Sequence, residues 1–259
     1  MNYNKSINDF YSEHDENNRL TKSPVNTIEF HTTMHFLKET LPKEAYILDA
    51  CAGTGIYADA LTKLGYNVVA CDLLDVNINR MQSYYPHLKE TYTLSVNDLS
   101  KFEDGHFDVV LNFGAYYHEI DSDKRNQGIY ECLRVLKYDG LFGLSYVNKF
   151  ANIFREFKLF SQDKQAVNDY LNYGYHKGNQ LFYATSPGQI EKEMNQLYLS
   201  KAFHVGTDGM KTLLKDAINS LDALQFDDWL EHHKMLCTEP SILGISEHGL
   251  YLGKKISPA

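Results

Sequence analysis

The chain has 259 residues, of which 43% are hydrophobic, so it can bury a sizeable core, and its length favours one large domain over two independent ones. Its formal net charge of −9 disfavours nucleic acid as a partner, because an acidic chain has no general attraction to phosphate backbones. The four cysteines lack metal-ligand spacing, and no apolar run reaches the roughly 18 residues of a membrane span. We therefore expect a soluble cytoplasmic protein with reduced thiols, no metal and no membrane contact.

The first 42 residues predict a helical cap over the entrance edge of a sheet. One helical pattern covers residues 7–20, and a second begins at Pro24 and ends before Pro42, as proline at these positions favours. The N-terminus is too polar for a secretory signal. His31 and His35 lie four residues apart on the second helix without an acidic or cysteine partner nearby, which favours an exposed helix face over a metal site.

Residues 43–147 alternate short apolar runs with longer amphipathic segments, the pattern of βαβ units that wind a parallel sheet. The five apolar runs are AYILDA, YNVVACD, TYTLSV, FDVVLNF and LFGLSYV. The helices between them are expected to end at Gly65, before Pro86 and at Gly140. This region therefore predicts five parallel strands.

Residues 148–185 break this rhythm and are rich in aromatic side chains, which predicts an insertion that acts as a lid. Tyr173, Tyr175 and His176 are flanked by glycines, as suits a mobile lid whose rings enclose a substrate. Rings that pack on the surface are the alternative.

Residues 186–259 complete the predicted sheet with a strand at LYLSKAFHVG, two helices and a last strand at HGLYLGKK. Trp229 and His232 in the second helix are further candidates for substrate contact. Because the adjacent His232 and His233 point to different sides of a helix, at most one of them faces a pocket.

The most informative stretch is ILDACAGTG, residues 47–55, in which a strand ends on Asp49 and turns through small residues into a helix. Small residues let backbone N–H groups approach a ligand closely, and the helix N-terminus adds further donors. Asp72 ends the next strand, where a carboxylate can accept hydrogen bonds from both ribose hydroxyls of a nucleoside. Asp98 follows the third run and is a candidate acceptor for an adenine amino group. These acids outline one nucleoside pocket.

This stretch resembles the first motif of the class I S-adenosylmethionine-dependent methyltransferases, which reads acid, any, Gly, any, Gly, any, Gly. Its places are taken here by Asp49, Cys51, Gly53 and Gly55, with Cys51 replacing the first glycine. The resemblance assigns further cofactor contacts: Asp72 and Leu73 at the ribose and adenine face, Asn97, Asp98 and Leu99 at the adenine edge, and Phe113 after the fourth strand.

The resemblance implies an α/β fold of three layers, with a seven-stranded, mostly parallel, Rossmann-like sheet and a helical substrate lid. The last strand is expected antiparallel beside the fifth. The cofactor would be S-adenosyl-L-methionine, the methyl acceptor a small molecule, and the assembly a monomer or homodimer. The single domain would comprise a cap (1–42), a cofactor-binding core (43–147), a lid (148–185) and the rest of the sheet (186–259).

The loop after the fourth strand resembles the family's loop beside the reactive methyl group, and it holds Tyr116, Tyr117 and His118. His118 is the main candidate for a general base or a substrate-orienting residue, with Tyr117 beside it as a second catalytic candidate. Tyr116 is a candidate substrate contact. The alternative is that His118 only packs or hydrogen-bonds beneath the cofactor.

Tyr11 and Arg19 belong to a segment expected to close over the methionine end of the cofactor. An arginine fork matches a carboxylate with two parallel hydrogen bonds, which that end of the cofactor needs. The alternative for Arg19 is a surface ion pair with Glu13, Asp15 or Glu16.

Two other functions fit parts of the sequence. GTGIYA, residues 53–58, also matches the G-x-G-x-x-A fingerprint of NAD(P)-dependent oxidoreductases, with Asp72 as the ribose acid. Asp49 argues against a diphosphate at this turn, and Asp98 has no role in that fingerprint. A non-catalytic S-adenosylmethionine-binding protein is the second alternative.

Overall fold

The structure is a computed structural model that describes residues 19–156, 164–177 and 181–257. Within these residues the strands are β1 Tyr46–Asp49, β2 Asn67–Asp72, β3 Glu90–Thr93, β4 Phe107–Asn112, β5 Leu136–Asn148, β6 Ala184–Thr185, β7 Leu199–Gly206 and β8 His248–Lys255. The helices are α1 Pro24–Thr40, α2 Ile56–Lys63, α3 Asp75–Tyr84, α4 Ala115–His118, α5 Ser122–Val135, α6 Lys149–Glu156, α7 Lys164–Tyr173, α8 Pro187–Gln196, α9 Lys211–Asn219, α10 Ala223–Leu236 and α11 Pro240–Leu243.

One sheet organises the chain, in the order β3-β2-β1-β4-β5-β8-β7, and the short β6 adds to the end of β5. The strands from β3 to β5 are parallel, whereas β8 runs antiparallel between β5 and β7. The predicted seven-stranded, mostly parallel sheet with an antiparallel last strand beside the fifth is confirmed. The strand order reverses between β1 and β4, and such a switch point opens a crevice at the carboxyl ends of the strands.

Helices cover both faces of the sheet, so the fold has three layers. Alternate side chains of β1 point to opposite faces: Ile47 packs in the cluster that contains Leu37 of α1, and Leu48 packs in the cluster that contains Leu133 of α5. Both strand residues are fully buried, and removing such a side chain from water contributes about 1.5–3 kcal/mol. Burial on both faces explains why β1, β2 and β4 lie in apolar runs of the sequence.

The helix α1 starts at Pro24 and ends at Thr40, as predicted, but the predicted end of α5 at Gly140 is wrong. The helix stops at Val135 because Leu136 already pairs with Phe107 of β4. Gly140 instead lies in an irregular stretch of the strand, where a Cβ atom would lie 2.9 Å from the Asp108 carbonyl oxygen.

The region predicted as a lid contains α6, α7 and β6. The helix α8 that follows it was not predicted, although Ser186 caps its first turn by accepting from the Gln189 amide, and Pro187 opens it. The helix predicted over 7–20 lies almost wholly outside the described residues. No helix of the described ranges combines the length and apolarity needed to cross a membrane.

Candidate active site

A cavity of about 520 Å³ opens at the carboxyl ends of β1, β2 and β4, at the switch point of the sheet. Its volume is that of a typical small-molecule site. One end is lined by residues that follow β2 and β3, and the other by residues of the β4 loop, by Tyr57 of α2 and by Arg19. The cavity therefore joins the segments that sequence analysis singled out.

The turn after β1 depends on two glycines with positive φ, Gly53 at 56° and Gly55 at 91°. A Cβ atom on Gly55 would lie 2.5 Å from Cγ of Met81, so α2 and α3 approach closely there. Gly53 lines the cavity, and a Cβ on it would meet no atom within 4 Å. Cys51 also lines the cavity and has no positive φ, so cysteine fits the place of the first motif glycine without backbone strain.

Asp49 ends β1 in the cavity wall and is 1% exposed. Neither carboxylate oxygen has a hydrogen-bond partner among the described residues. Burial and the negative charge of Asp72 raise the pKa of Asp49 to about 7. The nearby Cys51 amide opposes this shift, although it forms no hydrogen bond of good geometry with either oxygen. An unpartnered buried acid of this kind fits a cationic ligand group.

Asp72 ends β2 in the same wall and is held by three donors. Its Oδ2 accepts from the Gly53 amide at 2.9 Å, and its Oδ1 accepts from the Leu74 amide at 2.9 Å and from Asn77 Nδ2 at 3.0 Å. Burial raises its pKa, and these hydrogen bonds oppose the shift. A carboxylate can accept about four hydrogen bonds, so Asp72 keeps capacity for one ligand hydroxyl.

One end of the cavity is formed by the residues after β2 and β3. Leu73 and Asn97 line it, as do Leu94, Ser95 and Val96, which sequence analysis did not single out. Asp98 and Leu99 do not line it.

Local geometry explains why these two residues miss the cavity. The Asp98 side chain is exposed and accepts from the Ser100 amide at 3.1 Å, a turn that directs it to solvent. Leu99 lies in the core, and its amide donates to Glu131 at 2.8 Å.

The β4 loop brings Phe113, Tyr117 and His118 to the cavity, but not Tyr116. Successive residues of the short helix α4 point in different directions, and the Tyr116 hydroxyl donates to Glu193 of α8 at 2.8 Å. The Tyr117 hydroxyl lies 3.5 Å from the Phe113 carbonyl oxygen.

His118 is buried with its Nδ1 atom 3.2 Å from the Leu181 carbonyl oxygen. A carbonyl only accepts, so Nδ1 carries the proton in the neutral ring. Burial lowers the pKa of His118 to about 4; the charge of Arg19 adds to this effect, and the Leu181 carbonyl opposes it. The ring is neutral near pH 7.

Arg19 lines the cavity and forms an ion pair with Glu29, which was not among the three acids considered from sequence. Those acids and Tyr11 lie outside the described residues. Sequence analysis missed Tyr57, which lines the cavity and packs edge-on against Phe113 with ring centroids 5.4 Å apart. Its position in the first turn after the glycine motif was the available signal.

The remaining candidates for substrate contact do not line the cavity: Tyr173, Tyr175, His176, Trp229 and His232. The Tyr173 ring is 47% exposed and lies 3.9 Å from the Lys177 ammonium group. Trp229 stacks on His233 at 5.4 Å and packs against α1, and His232 is exposed with Nδ1 against the Asp228 carbonyl. The aromatic lining comes instead from α2 and the β4 loop.

Comparisons with known proteins agree with this geometry. A family model described as a methyltransferase domain matches residues 47–140. The bovine mitochondrial ubiquinone biosynthesis O-methyltransferase is 33% identical over 109 residues, which are 40% of this chain and 29% of that protein. The chain thus matches less than a third of the length of this relative.

Solved structures share the fold at low identity. An S-adenosylmethionine-dependent methyltransferase from Methanosarcina mazei is 16% identical with a TM-score of 0.60, over 86% of this chain and 98% of that one. A 1,6-didemethyltoxoflavin-N1-methyltransferase from Burkholderia thailandensis, solved with bound 1,6-didemethyltoxoflavin and S-adenosylhomocysteine, is 13% identical with a TM-score of 0.59, over 98% of this chain and 87% of that one. Residues 47–140 thus match a methyltransferase domain, and the described sheet has the fold of these methyltransferase structures.

Proposed function

We propose that this protein transfers a methyl group from S-adenosylmethionine to a small-molecule acceptor. The observation that carries the proposal is Asp49, a buried acid without a hydrogen-bond partner in the cavity wall. The cofactor has a sulfonium and an ammonium group, which suit this acid. A dinucleotide would bring a diphosphate to the same turn, where Asp49 and Asp72 would repel it.

The residues present fit the cofactor. Asp72 is suited to accept from a ribose hydroxyl, and Leu73 and Asn97 to flank the adenine. Arg19 is suited to bind the carboxylate of the amino acid tail, and Asp49 to neutralise its cationic groups.

The end of the cavity that is lined by Tyr57 and by the loop after β4 would receive the acceptor. When bound, the cofactor supplies an activated methyl group, whose in-line transfer needs alignment and exclusion of water more than acid–base help. The rings of Tyr57, Phe113 and Tyr117 give this end an apolar wall. Such a wall favours an apolar or aromatic acceptor.

His118 lines this part of the cavity, where its buried, neutral ring is suited to orient the acceptor. A general base works best with a pKa near the working pH, and the pKa of His118, about 4, is far below it. We therefore assign His118 the positioning of the nucleophile rather than full proton abstraction.

We further propose a cytoplasmic location and a monomer or homodimer. All four cysteines are free thiols, as expected in a reducing compartment.

The test uses S-adenosylmethionine deuterated in its methyl group, mixed with the protein and fractionated small-molecule extracts. Mass spectrometry then detects compounds that have gained the labelled methyl group. Label on a small molecule, absent with heat-inactivated protein, supports the proposal. Label only on protein or RNA contradicts the acceptor class, and tight cofactor binding without a labelled product in any fraction favours the non-catalytic alternative.

A further inference from the structure

Arg19 reaches the cavity wall as part of an ion pair with Glu29 of α1. Its Nη1 donates to Oε2 at 2.7 Å and its Nη2 to Oε1 at 3.3 Å, a two-pronged contact that fixes the guanidinium plane. The Glu29 side chain is 11% exposed, so the pair is held in a partly dry environment.

Behind Glu29, a network of charges connects it to the C-terminal half of the chain. His248 at the start of β8 lies with Nδ1 3.5 Å from Glu29 Oε2 and 2.7 Å from Asp208 Oδ2. Lys211 of α9 approaches the same Asp208 oxygen at 2.5 Å and Glu247 at 3.6 Å. Asp208 is fully buried.

These neighbours keep Glu29 ionised. Burial opposes ionisation, but the charges of Arg19, His248 and Lys211 outweigh it and lower the pKa of Glu29 to about 2. Glu29 is thus a permanent anion, and its charge is shared between Arg19 and the other neighbouring cations.

The acidic and imidazole groups of this network could suggest a metal site, since ligand atoms of Glu29, Asp208 and His248 all lie within 4.8 Å of one another. The Lys211 ammonium contacts Asp208 there, so a cation already serves this carboxylate. The cluster is better explained as an ion-pair network.

We propose that Glu29 is a positioning residue that holds the Arg19 guanidinium against the cavity to bind the carboxylate of the cofactor's amino acid tail. A long arginine side chain loses less freedom on ligand binding when an ion pair has already fixed it. A guanidinium has five N–H donors, enough to serve Glu29 and a ligand carboxylate together. This inference rests on the proposed function.

Glu29 also carries a negative charge that would repel the ligand carboxylate. Lys211 and His248 lower the cost of that charge as well as Arg19, so we expect positioning to outweigh repulsion. The balance of these two effects sets the sign of the expected result.

The test compares two ligands by calorimetry: S-adenosylhomocysteine and 5′-methylthioadenosine, which lacks the amino acid tail. Glu29→Gln keeps the shape but loses the two-pronged ion pair, so it should weaken S-adenosylhomocysteine about fivefold or more and change 5′-methylthioadenosine less than about twofold. The matched control is Glu39→Gln on the same helix, whose carboxylate is exposed and pairs with His35 at 3.3 Å. It should change neither affinity.

Three results would overturn the inference. Unchanged or tighter binding of S-adenosylhomocysteine to Glu29→Gln would show that the ion pair does not assist, or competes with, the ligand. An equal loss for both ligands would show a general structural role. If the unsubstituted protein binds neither ligand, the proposed function itself fails, and this inference fails with it; if it binds both, only the Glu29 inference is at stake.

Discussion

Asp49 and Asp72 end the paired strands β1 and β2, and the negative charge of Asp72 adds to burial in raising the pKa of Asp49 to about 7. Two acids at neighbouring strand ends would repel each other in an empty cavity. Asp72 is compensated by the Gly53, Leu74 and Asn77 donors, whereas Asp49 has no partner among the described residues. The unmatched acid is therefore the part of the site that a cationic ligand would stabilise.

Binding of S-adenosylmethionine should tighten as pH rises from about 5.5 to 7.5. A cationic ligand prefers the ionised carboxylate, so below the pKa of about 7 affinity should rise by up to about tenfold per pH unit. Calorimetry across this range measures the slope. Asp49→Asn should bind more weakly at pH 7.5 and lose this part of the pH dependence; an unchanged slope would show that another group titrates.

The ligand-free protein should show the opposite trend in stability. The pKa of Asp49 is raised in the folded chain, so between 3.8 and about 7 the folded state holds a proton that the unfolded state has lost. This contribution to the free energy of unfolding falls as pH rises and is lowest above about 7.

Asp49→Asn removes the buried charge and should stabilise the ligand-free protein at pH 8 by about 1 kcal/mol or more. Urea unfolding of both proteins at pH 5 and pH 8 measures the difference. A loss of stability at pH 8 would mean that Asp49 has a partner in the folded chain.

Asparagine in place of His118 should separate its hydrogen bond to the Leu181 carbonyl from its proposed role in orienting the acceptor. Asparagine can still donate to the Leu181 carbonyl but lacks an acceptor at the Nε2 position. We expect His118→Asn to reduce kcat roughly 100-fold while cofactor affinity stays within about twofold. An equal loss of cofactor affinity would indicate that His118 contacts the cofactor instead.

Alanine at the two motif glycines should have unequal effects on stability. Both positions have positive φ, which costs a residue with a side chain about 1–2 kcal/mol. Gly55→Ala would add a clash with Met81, so it should lower the free energy of unfolding by more than Gly53→Ala does. In a Met81→Ala background, Gly55→Ala should lower the free energy of unfolding by less than it does in the unsubstituted protein, because the clash is removed. Equal losses in the two single variants would contradict the close packing of α2 on α3.

Most of the sheet could be predicted from the sequence, because a parallel strand buried on both faces leaves a continuous apolar run. The acids at the ends of β1 and β2 could also be placed, because the carboxyl ends of parallel strands share one edge of the sheet. The end of α5 could not, because the pairing of Leu136 with Phe107 depends on tertiary register rather than on a local signal.

The candidates beyond the first strands were harder to place for physical reasons that act over longer distances. Trp229 stacks on His233 and packs on α1, a contact between segments far apart in sequence. Asp98 is turned to solvent, where its carboxylate accepts a hydrogen bond from the Ser100 amide. Tyr57 was missed because one aromatic residue in a helix gives no periodic signal.

Calorimetry with S-adenosylmethionine, S-adenosylhomocysteine and NAD, on the unsubstituted protein, Asp72→Asn and Asp98→Asn, identifies the ligand that the cavity binds. Both sulfur nucleosides should bind and NAD should not. Asp72→Asn should weaken binding about tenfold, since a hydrogen bond to a charged group contributes about 1.5–3 kcal/mol. Asp98→Asn, whose side chain faces solvent, should leave affinity unchanged. Binding of NAD without either sulfur nucleoside would contradict the assignment of the cavity.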